Sequence, residues 1–287
     1  SCFSAIVRLG AIPVCVDISS EDWNIDTALI EEHINEKTKA IMAVDLFGMP
    51  ANFQEIKNIA KKHNLKIIED SAEAIGAEFN NEKCGSFGDV STFSLFANKN
   101  ITAGEGGVVL TDCPNIYQRC CSYKNLYFGK IRDYKHKELG FNYRMSNIHS
   151  AIALAQLENI DEKIEIKIQN AKIYHKHLPM DIFQKYQSEQ DKKKCVFWMY
   201  AFELKPEIKI DAEKLIFELD KYGIQARRLF CGIAQQPIYR KLFGATNAQF
   251  KQSENAYERG FYLPSGLTLS EEQIIYVCDT VKRIIHE

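Results

Sequence analysis

Along the first third of the chain, short apolar runs alternate with segments whose apolar residues recur every three or four positions. Ile12 to Val16 reads as a short buried strand ending at Asp17, and Lys39 to Leu46 (KAIMAVDL) as a second, closed by Phe47-Gly48-Met49-Pro50. Leu65 to Ile68 is a third and runs into two acids, Glu69 and Asp70. Between them, Asp26 is placed to cap a helix through about Ile34, and Asn52 to start another in which Phe53, Ile56, Ile59 and Ala60 share one face. Strands alternating with single amphipathic helices predict a mainly parallel sheet flanked by helices, an α/β fold. In such sheets ligands gather beyond the carboxyl ends of the strands, which is where Asp45 and Asp70 fall.

The pattern then changes. Pro114 begins a helix to about Tyr123, a polar and aromatic loop follows, and Ser146 is placed to cap a long helix, straight or with a bend, reaching about His177 with Ile148, Ile152, Ala155 and Ile160 as its stripe. Ser188 to Lys194 (SEQDKKK) has no large apolar residue and reads as a surface loop or linker. Beyond it lie a β-rich run from Cys195 to Leu204, a helix at 211–221, a strand from Ile224 to Phe230, and a terminal helix from Ser270 to Ile285. Ser270 followed by Gln273 matches a capping box. These segments predict a larger domain over residues 1–165 and a smaller C-terminal α+β domain over 166–287.

Composition adds bounds. With 287 residues, 46% hydrophobic and 26% charged, the chain has enough apolar material for a substantial core. A formal charge of -2 gives no reason to expect nucleic acid or an anionic membrane surface as partner, and no apolar run approaches the length of a membrane span. The nine cysteines are scattered and contain no CxxC pair, which favours reduced thiols in the cytoplasm, Cys15, Cys120 and Cys278 being read as buried. The seven histidines are dispersed, and no metal site is indicated.

The stretch from Leu65 to Thr111 carries the candidate chemistry. It delivers Asp70 at a strand end, passes through small residues to Ser94 and to Lys99 between two asparagines, and closes on Gly104-Glu105-Gly106-Gly107 and a second apolar run, Val108-Val109-Leu110. A lysine, a strand-end carboxylate and a hydroxyl are what pyridoxal phosphate needs: a Schiff-base amine, a partner for the ring nitrogen, and a phosphate donor. Taken alone, each has a plainer use, since a strand-end Asp often closes a turn and a loop Lys is often solvated.

The blocks IEDSAEAIGAEF, GSFGDVSTFSLFANKNITAGEGG and LGFNYRMSNIHSAIALAQL occur in this order, followed by GIQARRLF, QQPIY and YLPSG. Block by block, the chain resembles the DegT/DnrJ/StrS sugar aminotransferases, which are fold-type I pyridoxal 5'-phosphate enzymes. Within that family, FGMPANFQEI and GFNYRM look most like the branch that aminates C4 of a GDP-linked 4-keto-6-deoxymannose. The resemblance implies Lys99 as Schiff-base and acid–base lysine, Asp70 at the pyridinium nitrogen, Glu73 beside the ring where relatives have Gln or His, and Ser94 at the phosphate. It further implies that Asn142 reaches the cofactor of a neighbouring subunit, so that the enzyme is a homodimer with a shared site. His136 and Arg227 stand where relatives place substrate-side residues. Asn142 and Arg144 would equally cap the long helix, and Arg227 would equally serve a buried ion pair. The implied reaction moves an amino group from glutamate to a nucleotide-linked keto sugar, in polysaccharide precursor synthesis.

Two departures qualify the resemblance. Arg228, Gly232 and Ala234 replace the proline, second proline and histidine that line the sugar pocket in many relatives. The family's N-terminal portion, with its phosphate-binding Gly-Thr/Ser turn and a ring-stacking aromatic, has no counterpart here, so the fold is expected to be entered partway through. The rivals are amination at C3 within the same family and a catalytically silent homologue acting as a dimer partner. The sugar 3-dehydratases of the family carry histidine at the lysine position, which Lys99 argues against.

Overall fold

A computed structural model describes residues 1–128, 134–188, 190–244 and 250–286. It opens with helix α1 (Cys2–Arg8), after which the strand expected from Ile12 to Val16 does not form. Ile12 and Val14 are 74% and 55% exposed: among the described residues the alternation finds no neighbouring strand to bury it. The helix expected from Asp26 to Ile34 is two 3-10 turns, Thr27–Leu29 and Glu31–His33. Asp26 does cap the first, accepting from the Ala28 amide, but Ile30 is the one buried side chain of this stretch, too narrow a face to hold a regular helix.

The predicted α/β order then follows. Strand β1 (Ala40–Val44) and helix α2 (Phe53–His63) lead to β2 (Lys66–Asp70), parallel to β1 with Val44 opposite Asp70. Asn52 caps α2 through the Glu55 amide, Phe53, Ile56 and Ala60 form its buried face, and Asn64 ends it in the left-handed conformation. A short hairpin, β3 (Glu78–Phe79) and β4 (Glu82–Lys83), precedes β5 (Val90–Ser94), parallel to β2, and β6 (Gly107–Leu110), antiparallel to β5. The first sheet therefore has the order β1-β2-β5-β6, three parallel strands and an antiparallel edge. Helix α3 (Pro114–Lys124) comes next. The long helix expected from Ser146 is two, α4 (Asn147–Leu157) and α5 (Ile160–His177). At the break the Asn159 side-chain amide donates to the Ala155 carbonyl, drawing that oxygen away from the continuing ladder.

Strands β7 (Phe183–Tyr186), β8 (Lys193–Lys194) and β9 (Tyr200–Leu204) come in succession, followed by helix α6 (Ala212–Asp220), strand β10 (Arg227–Arg228), helices α7 (Pro237–Phe243) and α8 (Lys251–Arg259), and strand β11 (Gly260–Leu263). Helix α9 (Glu271–His286) closes the chain. The second sheet is antiparallel, in the order β10-β11-β9-β7, and β8 instead joins β3. The run from Cys195 is a strand only from Tyr200 onward. Its first part crosses the end of β1, where the Val196 and Trp198 amides donate to the Gly48 and Phe47 carbonyls. The strand expected over Ile224–Phe230 shrinks to two residues. Besides smaller clusters around Phe47 and Trp198 and around Leu95 and Ile101, the described residues form two larger cores, one around Phe53, Ile56 and Ile67 and one around Tyr200, Phe202 and Phe261. Helix α5 ties them together: Ile164 packs in the first, Ala171 and Tyr174 in the second, so residues 165 and 166 are consecutive positions of one helix. All nine cysteines are free, and Cys84, Cys195 and Cys278 are buried. Cys15 and Cys120, by contrast, are partly exposed. Among the described residues no helix is long and apolar enough to cross a membrane.

Candidate active site

The two acids that end β2 have opposite surroundings because successive strand residues face opposite ways. Glu69 is buried and accepts from the Phe87 amide at 2.8 Å, the Gly88 amide at 3.0 Å, the Ser91 hydroxyl at 2.9 Å, the Ser71 hydroxyl and the Gly85 amide. Gly88 is required there, since a Cβ would meet the Val90 carbonyl oxygen at 2.7 Å and the Glu69 backbone nitrogen at 3.0 Å. Asp45 shares the Ser71 hydroxyl at 2.7 Å and accepts from the Ala51 amide, and Cys84 closes the group, with one candidate ligand atom from each of Asp45, Glu69 and Cys84 within 4.8 Å of the others. Four of these five donors lie between Gly85 and Ser91, tying that segment to β2, so this cluster is a brace. Burial pushes the Asp45 carboxyl up to about 7, and burial with the neighbouring acids raises the Cys84 thiol.

Asp70 faces the other way. Oδ1 accepts from the Ala72 amide at 3.1 Å and lies 3.5 Å from the Thr92 hydroxyl, while Oδ2 accepts from the Cys2 thiol at 3.0 Å. Burial first, then the Asp70 charge, pushes that thiol up to about 12, keeping it a donor. Ser94 lies two residues beyond Thr92, the register partner of Asp70, on the same face and at the carboxyl end of β5. Its hydroxyl oxygen accepts from the Phe96 amide at 3.2 Å.

The Lys99 side chain reaches into this region, 11% exposed, with Nζ 3.6 Å from Glu73 Oε1 and 3.7 Å from the centre of the Trp198 ring. Burial lowers the Lys99 amine below its ordinary range, while Glu73 and Asp70 pull it back up. Burial pushes the Glu73 carboxyl up to about 7 against the opposing pull of Lys99. Glu73 Oε2 accepts from the Phe47 amide at 2.8 Å, and the Phe47 carbonyl accepts from the Trp198 amide at 3.1 Å and the Gln187 side chain at 2.8 Å. Phe47 adopts φ 56, a left-handed conformation costly for an aromatic residue, held by these bonds and by ring contacts with Trp23 and Phe230. Gly48 beside it has φ +89, and a Cβ there would meet Val196 at 2.8 Å.

Lys99, Glu73 and Asp70 are thus brought together, with Ser94 at the same strand ends. The others lie apart from that group. Asn142 is exposed, and its oxygen accepts from Arg144 at 3.3 and 3.2 Å. His136 is exposed, placed by Leu126 and Phe128. Arg227 is exposed on β10 with Tyr262 as its register partner on β11; burial raises the Tyr262 hydroxyl and Arg227 lowers it. Sequence reasoning missed Phe47, Trp198, Tyr262 and Cys2. A weak signal existed for two of them: Phe47 precedes a glycine at a strand end, and Trp198 is one of only two tryptophans, at the mouth of a strand. The donor set fits pyridoxal phosphate: an amine against an acid, a carboxylate whose outer oxygen meets only a thiol among the described residues, and a hydroxyl at the adjacent strand end.

A family model described as the DegT/DnrJ/EryC1/StrS aminotransferase family matches residues 1–282. The chain is 38% identical over 278 residues to a GDP-perosamine synthase of Escherichia coli O157:H7, covering 97% of this chain and 74% of that protein. It is 36% identical over 282 residues to the GDP-perosamine synthase of Vibrio cholerae, covering 97% and 75%. Among solved structures it is similar to Helicobacter pylori PseC, an aminotransferase involved in the biosynthesis of pseudoaminic acid. That match has a TM-score of 0.91 and 28% identity, over 98% of this chain and 75% of that one.

Proposed function

The chain belongs to the DegT/DnrJ/EryC1/StrS aminotransferase family, and from that premise we propose that it transfers an amino group from glutamate to a nucleotide-linked 4-keto-6-deoxysugar, as a GDP-perosamine synthase does. The observation that carries the reading is the Lys99 amine held 3.6 Å from Glu73 at the carboxyl end of a parallel sheet, with Asp70 facing the same space. The kind of sugar follows from the two GDP-perosamine synthases, each matched over 97% of this chain.

Pyridoxal phosphate, the cofactor of this family, supplies an aldehyde to receive the amino group and a ring that takes up the electrons of the C–H bond being broken. Asp70 would hold the ring nitrogen in its protonated form, and Ser94 would donate to the phosphate. Lys99 would provide the covalent attachment and then, as a free amine, carry a proton to and from the reacting carbon. Glu73 would stand beside the ring. Arg227, presented with Tyr262, suits the diphosphate of the nucleotide, since a guanidinium pairs with phosphate oxygens two at a time; His136 is the second substrate-side candidate. Asn142, exposed in the single chain, would reach the phosphate of a second copy, which makes the working unit a homodimer.

Glutamate and GDP-4-keto-6-deoxymannose supplied to the enzyme with its cofactor should give 2-oxoglutarate and a GDP-sugar bearing the amine at C4, read by mass spectrometry and NMR. Lys99→Ala should give neither product. Normal turnover by Lys99→Ala would overturn the assignment, and an amine found at C3 would move the substrate to the 3-keto class.

A further inference from the structure

Five contacts form a closed circuit around the Lys99 amine. Glu73 lies 3.6 Å to one side and the face of Trp198 3.7 Å to another. One residue holds both walls: the Phe47 amide donates to Glu73 at 2.8 Å, and the Phe47 carbonyl accepts from the Trp198 amide at 3.1 Å. The circuit closes through the indole N–H, which donates to the carbonyl of Asn98, the residue before Lys99, at 2.8 Å. The Trp198 carbonyl is anchored in turn, accepting from the buried Lys167 ammonium at 3.0 Å and the Ser265 hydroxyl at 3.2 Å. Trp198 is 4% exposed, and its ring cannot turn away without breaking the indole N–H bond to Asn98. Strain at Phe47, φ 56, falls at the one position that joins the two walls.

We propose that Glu73 and Trp198 form a berth for the free ammonium of Lys99, which makes Trp198 a positioning residue for the acid–base amine. The inference rests on reading Lys99 as that amine. A transaminase lysine must be released whenever the amino group resides elsewhere, and a four-carbon side chain released into solvent has many rotamers to search before it can take a proton again. A carboxylate on one side and a π face on the other hold the amine as a cation. The indole face does so whether or not Glu73 carries a proton, and Asp70 is the second acidic group facing the amine. A tryptophan here is also suited to the change of bonding: it attracts the ammonium without forming a hydrogen bond that must be broken when the amine forms its covalent bond.

The test reads the amine itself, without turnover. Competitive acetylation of cofactor-free protein, quantified at the Lys99 peptide across pH, gives the amine's pKa, with Lys193 and Lys221 as internal references. Trp198→Phe keeps an apolar wall but weakens the π face and loses the indole N–H; Glu73→Gln removes the opposing charge. Both variants should lower the Lys99 pKa, each by enough to raise its labelling near neutral pH severalfold, with the reference lysines unmoved. In the loaded enzyme Trp198→Phe should lower kcat while leaving KM for the nucleotide sugar unchanged. A Lys99 titration in Trp198→Phe that superimposes on the wild type overturns the berth. If that variant fails to fold, an unchanged titration in Glu73→Gln overturns it equally. Borohydride trapping of pyridoxal phosphate separates the two failures. A label away from Lys99 defeats the underlying assignment, whereas a label on Lys99 with unmoved titrations defeats the berth alone.

Discussion

Glu69 and Asp70 are chemically similar neighbours with different work, and strand alternation decides between them. Glu69 is consumed by internal donors, Asp70 meets the site. The same alternation places Asp45 on the buried side, where its carboxyl is pushed from an ordinary 3.8 up to about 7 by burial. The folded chain therefore keeps a proton that the unfolded chain has already released between those values. The resulting stability is fully present below the unfolded value and is lost as pH rises toward 7, at up to about 1.4 kcal/mol per pH unit. Glu73 has a shift of the same sign. The comparison of wild type with Asp45→Asn isolates Asp45, because Glu73 is common to both. Urea unfolding midpoints should show the wild type losing its advantage over Asp45→Asn as pH climbs from 4 to 7. A difference constant with pH would mean that Asp45 is ionised throughout.

The elements read most surely from sequence are those in which local chemistry and packing agree. The capping box at α9 is reciprocal: the Gln273 amide donates to the Ser270 hydroxyl at 3.3 Å, and the Ser270 amide to the Gln273 side chain at 3.0 Å. Behind it Ile274, Val277, Val281 and Ile284 line the second core. Ser270→Ala should cost about 1 kcal/mol, seen as a lower urea midpoint at unchanged slope; no change would place the cap's contribution in the solvent. Where the two disagree, the sequence misleads. Ile12 to Val16 has strand composition but no described neighbour to pair with, and Asp26 caps a segment with little to bury. The site divides in the same way. Asp70, Ser94 and Lys99 lie in one continuous stretch and were legible, Ser94 and Lys99 only five residues apart. Trp198 arrives from the segment before β9 and Tyr262 from β11, brought by tertiary contacts that no local pattern encodes.

At the scale of the molecule, α5 and the crossing of Val196 to Trp198 over β1 join the two sheets, so the second half of the chain completes the surroundings of a lysine supplied by the first. Ile148, Ile152, Leu154 and Leu157 on α4 stay exposed in the single chain, next to the stretch that carries Asn142. That placement suits a second copy sharing the site. If Asn142 serves the neighbour, Lys99→Ala and Asn142→Ala chains, each inactive alone, should regain up to about a quarter of wild-type activity when dissociated and reassociated, because a mixed two-fold dimer holds one intact site. Mixtures that stay as inactive as their parents would confine Asn142 to its own chain.

The placement of the cofactor on Lys99 is tested most directly by incubating the protein with pyridoxal phosphate, reducing with borohydride and mapping the modified peptide by mass spectrometry. The pyridoxyl group is expected on Lys99 alone, and Asp70→Ala should reduce the yield. A label on any other lysine, with Lys99 unmodified, would contradict the site described above.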